Sequence, residues 1–322
     1  MNKKLRIVFM GTPKFAVASL EALLNEGFDV AGVITSPDKP AGRGKKLTES
    51  EVKSFAVSKG LPVLQPTNLK NPDFIDELNS LNVTLGIVVA FRMLPEIVWA
   101  MPEYGTFNLH ASLLPDYRGA APINHAIING EKETGVTTFF LKQEIDTGAI
   151  IFQEKTPIHP DETAGELHDR LMKIGANLVI KTVRAIQNND YPQISQLSLI
   201  TSEEIIKPAP KIFKDDCYIK WDNTAEVINN LIRGLSPYPG AISNLLSDSG
   251  ERIQIKIFKT SIENCPNTQP PGEIEIFGKE RLAVWVKNGK IIIDELQMEG
   301  KKRMKTKEFL NGFRLTGKWK MD

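Results

Sequence analysis

The chain has 322 residues, 41% of them hydrophobic and 25% charged, which is globular composition and enough length for two cores. No stretch approaches the ~20 apolar residues of a membrane span, and the first apolar run breaks at Gly11-Thr12-Pro13, too early for a signal peptide. Cys217 and Cys265 lie far apart with no CxxC spacing, which argues against a disulfide framework or a thiolate zinc site and makes a reducing cytoplasm the expected compartment. The net charge of +1 is uneven: residues 205–322 carry 20 Lys and Arg against 15 Asp and Glu, while residues 1–204 carry 20 against 24. A basic second half hints at a polyanionic partner there.

The first 190 residues alternate strand and helix signals. Leu5–Met10 reads as a continuous apolar strand, and Phe15, Ala18, Ser19, Ala22 and Leu23 follow at helical spacing up to Gly27. Val30–Thr35 is a second strand, Glu51–Lys59 a helix stopped by Gly60-Leu61-Pro62, and Val83–Ala90 a strand apolar on both faces, as the middle of a parallel sheet requires. Strands over Thr106–His110 and Gly135–Leu141, a helix over Ala121–Asn129 and a long amphipathic helix over Glu166–Asn188 complete the series. The alternation predicts an α/β fold with a doubly wound, mostly parallel sheet.

The texture then changes. Lys207-Pro208-Ala209-Pro210-Lys211 has linker character. Beyond it come short runs at Cys217–Trp221, Ala241–Leu246, Arg252–Lys259, Gly272–Phe277, Arg281–Val286 and Lys290–Leu296, with one helix over Thr224–Arg233. Such spacing predicts a small antiparallel barrel, an OB-like one being a candidate. The expected organisation is a domain over 1–190, a linker over 191–211 and a barrel domain over 212–322.

Chemistry concentrates in Phe107-Asn108-Leu109-His110-Ala111-Ser112-Leu113-Leu114-Pro115-Asp116-Tyr117-Arg118-Gly119. Asn108 and His110 stand two apart at a strand end, so they share a face, and the carboxyl ends of parallel strands are where open α/β sheets place ligands. The pair can stabilise a developing oxyanion, with the imidazole also able to move a proton. Downstream, Asp146 in the turn Glu144-Ile145-Asp146-Thr147-Gly148 can orient His110 or accept a proton. Taken singly, an Asn-x-His on a strand and an Asp-Thr-Gly turn are common structural features, and spacing does not by itself bring Asp146 to His110. No HxH, HExxH or GxSxG pattern occurs, so neither a metal centre nor a serine nucleophile is expected. The turn after the first strand lacks the glycines of a GxGxxG phosphate loop, which disfavours nicotinamide binding. Between a strand and a helix, Asp38–Leu47 packs four cations with two glycines; it is either a solvated loop or a cationic finger for phosphate.

Together Asn108-x-His110, Ser112-Leu113-Leu114-Pro115, Tyr117-Arg118-Gly119 and Asp146-Thr147-Gly148 closely resemble the motifs of the 10-formyltetrahydrofolate-dependent formyltransferases. Phe9-Met10-Gly11-Thr12-Pro13, the Lys39–Leu47 loop, Ile232–Ala241 and the overall length are similar to those members that act on a charged tRNA. The resemblance spans nearly the whole chain, strongest over 5–150. It implies a Rossmann-like catalytic domain and an OB-like C-terminal domain, with Asn108, His110 and Asp146 as the catalytic set. It further implies 10-formyltetrahydrofolate as co-substrate and no metal, with initiator methionyl-tRNA as acceptor in translation initiation. Folate contacts are expected from Ser112, Leu113, Leu114 and Pro115 and from Val88, Ala90, Phe91, Arg92 and Leu94. Many relatives carry Tyr-Gly where this chain has Phe91-Arg92, which changes the individual pterin contacts. A proline common in the family is Glu51 here, at a helix start. In the mechanism this implies, a carboxylate beside His110 keeps the imidazole oriented and favours its charged form. For tRNA, Arg43, Lys45, Lys46, Lys207, Lys211, Lys301, Lys302, Arg303 and Lys305 are the expected phosphate contacts, and a soluble cytoplasmic monomer is the expected form. Three alternatives stay open: a formyltransferase acting on a sugar nucleotide or other small amine, a hydrolase releasing formate, and an RNA-binding protein on an inactive scaffold.

Overall fold

The computed structural model describes residues 4–41, 46–200, 205–313, 315 and 317–322. The chain divides into two compact units, one of residues 1–119, 134–156 and 168–208, the other of 120–133, 157–167 and 209–322.

A seven-stranded sheet organises the first unit. β1 (Arg6–Gly11) leads into α1 (Lys14–Asn25), and β2 (Asp29–Ile34) lies parallel to β1. A hairpin of β3 (Lys39–Ala41) and β4 (Lys46–Thr48) precedes α2 (Glu51–Ser58), and β5 (Val63–Leu64) adds parallel to β2. After α3 (Pro72–Ser80) the chain crosses to the other side of β1 as β6 (Leu85–Val89), then continues through α4 (Glu96–Trp99) to β7 (Thr106–His110), both strands parallel to their neighbours. Past β8 (Arg118–Gly119) and α5 (Pro122–Ile128), β9 (Glu133–Phe140) runs antiparallel to β7, and β10 (Ile150–Pro157) takes the edge. The order β10-β9-β7-β6-β1-β2-β5 reverses direction at β1, so the ligand crevice of such a sheet falls at the carboxyl ends of β1, β6 and β7.

Local chemistry accounts for these elements. All of Leu85–Val89 is buried, as expected of a strand with helices on both faces. α1 buries Phe15, Ala16, Ser19, Leu20 and Leu23 at helical spacing. The Ser50 hydroxyl accepts the Lys53 N–H to start α2, and Asn71 with Pro72 at the first turn starts α3. α6 (Ala164–Asn188) buries Leu171, Leu178, Val179, Val183 and Ile186 in this unit.

The second unit is a nearly closed antiparallel barrel. After β11 (Pro208–Ala209) and α7 (Ala225–Gly234), its strands are β12 (Ala241–Ser247), β13 (Arg252–Glu263), β14 (Ile274–Phe277), β15 (Arg281–Val286) and β16 (Gly289–Met298). Then follow β17 (Met304–Lys305), α8 (Thr306–Gly312) and β18 (Trp319–Met321). The order is β14-β15-β16-β13-β12-β18 with β17 beside β16, and a bridge between Glu273 and Lys320 brings the two edges together. Ile228, Ile232, Ile257, Val284, Ile291 and Phe309 fill its centre.

One expectation is corrected. The Cys217–Trp221 strand is a short 3-10 turn over Asp215–Cys217 followed by a single bridge from Tyr218 to Ile242. Its alternation does send Cys217, Ile219 and Trp221 into the barrel core, so burial was legible where strand pairing was not. Residues 120–133 and 157–167 cluster with the C-terminal unit, where α5 lies against α7 and Asn124 Nδ2 donates to the Gly234 carbonyl at 2.7 Å. Within the expected linker, Ile194 exchanges both backbone hydrogen bonds with Ile150, and Gln196 is 2% exposed. Among the described residues, no helix is long and apolar enough to cross a membrane.

Candidate active site

β7 delivers Asn108 and His110 to the carboxyl edge of the sheet, between β6 and β9. Asn108 is half-buried and no hydrogen bond from the described residues claims its carboxamide. His110 is 7% exposed. Its Nε2 lies 2.8 Å from the Tyr117 carbonyl oxygen, which can only accept, so Nε2 carries a proton and Nδ1 is the nitrogen left for chemistry. Nδ1 faces Asp146 Oδ2 at 3.9 Å. That is an ion-pair distance, too long for a direct hydrogen bond. An atom set to one side of the line between them lies within ~2.8 Å of both, which is hydrogen-bond reach.

Asp146 comes from the turn between β9 and β10, with φ +55°. Its Oδ2 accepts the Gly119 N–H at 3.0 Å. Ala90 (φ +48°) at the end of β6 and Tyr117 (φ +60°) after β7 share that left-handed conformation. Non-glycine residues adopt it where surrounding contacts over-determine the backbone, and functional sites collect such residues. Gly148 is required for a different reason. A Cβ there would stand 1.7 Å from the Phe140 carbonyl oxygen, so only glycine lets this turn close onto β9.

The 112–116 turn is internally braced. The Ser112 hydroxyl donates to the Asp116 carbonyl at 2.7 Å, Thr137 Oγ1 donates to the Ser112 carbonyl at 2.7 Å, and Gln153 Nε2 donates to the Leu114 carbonyl at 2.8 Å. Ser112 is fully buried, and Leu114 packs with Phe139 and Ile150. These two side chains therefore shape the turn instead of facing solvent, while Leu113 and Pro115 are half-buried. On the other side, Val88, Phe91 and Leu94 join one apolar cluster with Met10, Ile34 and Leu141, and Ala90 is exposed. That cluster, with an unclaimed carboxamide beside it on β7, suits a flat heteroaromatic ring that needs both apolar contact and hydrogen bonds. Arg92 turns elsewhere: its guanidinium donates to the Pro66 and Thr67 carbonyls and lies near the Phe91 ring.

Sequence reasoning missed Gln196, which joins the parts. Its Nε2 donates to the carbonyls of Asp146 (2.8 Å) and Gly148 (2.9 Å), and its Oε1 accepts from Arg118 Nε (3.1 Å) and Nη2 (2.6 Å). An isolated glutamine in a polar stretch carries no sequence signal of this kind.

The expected phosphate contacts divide. Arg43 and Lys45 lie outside the described residues, and Lys46 opens β4. The base of that hairpin is pinned by Lys53, whose Nζ reaches Asp38 Oδ2 at 2.5 Å before β3 and Glu49 Oε1 at 3.0 Å after β4. Hydrogen bonding to Lys53, and then to Gln65, holds the Asp38 carboxyl below its usual range. Lys207 belongs with the first unit, its N–H donating to Asp116 Oδ1 at 3.0 Å and its carbonyl accepting from Tyr117. Lys211 is exposed beside the Phe213 ring, and Lys301, Lys302 and Lys305 are exposed on the barrel. Arg303 is already committed, pairing with Glu295 and lying over Phe258 at 4.6 Å.

Two family profiles match: that of the formyl transferases over residues 5–183, and that of the formyl transferase C-terminal domain over 211–314. The chain belongs to the formyl transferase family. Within it, the chain is 52% identical to the methionyl-tRNA formyltransferase of Bacteroides fragilis, over 99% of this chain and 98% of that one. Identity to the methionyl-tRNA formyltransferase of Bacteroides thetaiotaomicron is 51%, over 100% and 99%. Among solved structures, the fold matches the sugar 3N-formyl transferase WlaRD, crystallised with dTDP and 5-N-formyl-THF. There the TM-score is 0.65 at 24% identity, covering 93% of this chain and all of the other.

Proposed function

We propose that this chain transfers the formyl group of 10-formyltetrahydrofolate to the free α-amino group of initiator methionyl-tRNA, for translation initiation. What carries the reading is identity of 51–52% over essentially the whole chain to methionyl-tRNA formyltransferases. The folate supplies an activated formyl group. The apolar cluster of Val88, Phe91 and Leu94 receives its ring system, backed by the braced 112–115 turn.

As the methionine amine adds to the formyl carbon, the carbonyl oxygen turns negative and the amine nitrogen turns positive, so it must lose one of its own protons. The Asn108 carboxamide and a protonated Nδ1 of His110 donate hydrogen bonds to that oxygen. Asp146, 3.9 Å from Nδ1, stabilises the imidazolium and accepts the amine proton directly or through a water. Collapse of the intermediate re-forms the carbonyl and breaks the bond between the formyl carbon and the folate nitrogen, which takes up the proton and leaves as tetrahydrofolate, so no covalent enzyme intermediate is needed. Lys207, Lys211, Lys301 and Lys302 hold tRNA phosphates together with the 39–48 loop, and the protein works as a cytoplasmic monomer.

The test is incubation with formyl-labelled folate and charged initiator tRNA beside an amino-sugar nucleotide. Label is expected on methionine alone. Label on the sugar, or formate released without any acceptor, overturns the reading.

A further inference from the structure

We propose that Gln196 is a positioning residue for Asp146, holding the 146–148 turn in its reactive conformation. The inference rests on the reading of Asp146 as a catalytic residue given above.

A glutamine side chain has two N–H donors and an oxygen with two acceptor sites. In Gln196, 2% exposed, all four are used: two carbonyls of the 146–148 turn on one side and the Arg118 guanidinium on the other. The arrangement fixes Asp146 at two points. Its backbone carbonyl is bonded to Gln196, while its carboxylate is bonded to the N–H of Gly119, the residue next to the Arg118 that Gln196 also holds. Asp146 sits at φ +55°, a conformation uncommon for residues bearing a Cβ though tolerated by Asp, so the contacts around it set how firmly the turn is held. Loss of the two carboxamide donors frees that peptide to rotate and takes the carboxylate away from Nδ1 of His110.

The residue type follows from the partners. Two carbonyls demand donors and a guanidinium demands an acceptor, so a neutral amide fits where a carboxylate would meet both carbonyls with lone pairs. The tether is structural too. Ile194, two residues earlier, is bridged to Ile150 at the start of β10, so Gln196 is brought to the turn by backbone pairing.

The experiment is a double-mutant cycle on the full-length enzyme: Gln196→Leu, Asp146→Ala and both together, assayed for formylation of charged initiator tRNA at saturating substrates. Gln196→Leu is expected to lower kcat about 100-fold, the scale of an ångström misplacement, with KM for both substrates within about threefold of the parent. In the Asp146→Ala background the same change is expected to cost nothing further, because the two act through one group. Equal losses in both backgrounds, or parental kcat in Gln196→Leu, overturn the inference. Parental kcat in Asp146→Ala alone overturns the role of Asp146 instead. Should Gln196→Leu fail to fold, Gln196→Glu replaces it in the cycle. That variant keeps the Arg118 pairing and loses the donors, with the same losses expected and the same outcomes decisive.

Discussion

In the first unit the ionisable groups of the site sit low, with His110 at 7% exposure and the Asp146 side chain at 14%. Their neighbours are neutral: the Tyr117 carbonyl, the Gly119 N–H and the Gln196 carboxamide. The barrel distributes charge the other way. Lys301 and Lys302 stand exposed, Lys307 pairs with Glu280, Arg281 with Glu263, and Arg303 with Glu295. Where charge must develop on a reacting atom, a few fixed dipoles in a poorly solvated place act strongly. Where a polyanion must be held, numerous solvated cations suffice, each worth little and each screened by salt. On the proposed reading, changes at His110 and Asp146 answer to kcat, and changes at the exposed barrel lysines to salt-dependent affinity.

The largest effect expected is from His110→Ala, which should lower kcat by about a thousandfold, the combined scale of a lost oxyanion donor and a lost proton carrier. Binding of methionyl-tRNA in a gel-shift assay should stay near the parental value. A matching loss of tRNA affinity would erase the division between His110 and the phosphate contacts. Phe309→Ala removes a ring 1% exposed in the barrel core and should destabilise the protein by about 3 kcal/mol, read as a lower denaturation midpoint.

Smaller again is the pair Lys301→Gln and Lys302→Gln. Removing each phosphate-binding cation should reduce the slope of log K against log salt by about 0.7 to 0.9, with kcat at saturating tRNA unchanged. A fall in kcat instead would place barrel charges in the chemistry.

The smallest expected effect concerns Asp294, whose carboxyl is pushed up by burial, Lys259 offsetting part of it. A carboxyl with a folded pKa above its unfolded one stabilises least when ionised, so its penalty grows as pH rises through the folded value. Asp294→Asn should therefore raise Tm slightly at neutral pH, and the gain should vanish on acidification below the unfolded carboxylate pKa. A Tm gain that persisted in acid would point to packing rather than charge.

Legibility followed periodicity. β7 was readable residue for residue over Thr106–His110, because its apolar Phe107 and Leu109 and the strand-end polar pair all lie within five positions. α3 went unread although Asn71-Pro72-Asp73 carries a helix-start signal, since its buried side is only Phe74 and Leu78. β18 and α8 were missed for the same reason: short elements gain their stability from the barrel they close, and that barrel is assembled by pairings far apart in sequence.

By itself the sequence determined the α/β alternation, the barrel-like second half and the family, and it singled out Asn108, His110 and Asp146 as candidates, since motif and hydrophobic period are local properties of the chain. Only the tertiary structure decided which groups face one another. It left Nδ1 of His110 facing Asp146 at 3.9 Å, with Nε2 held by the Tyr117 carbonyl, and it bonded a glutamine from an expected linker to the carbonyls of Asp146 and Gly148. Those outcomes depend on polar pairings between residues 7, 36 and 50 positions apart, for which chain proximity carries no information.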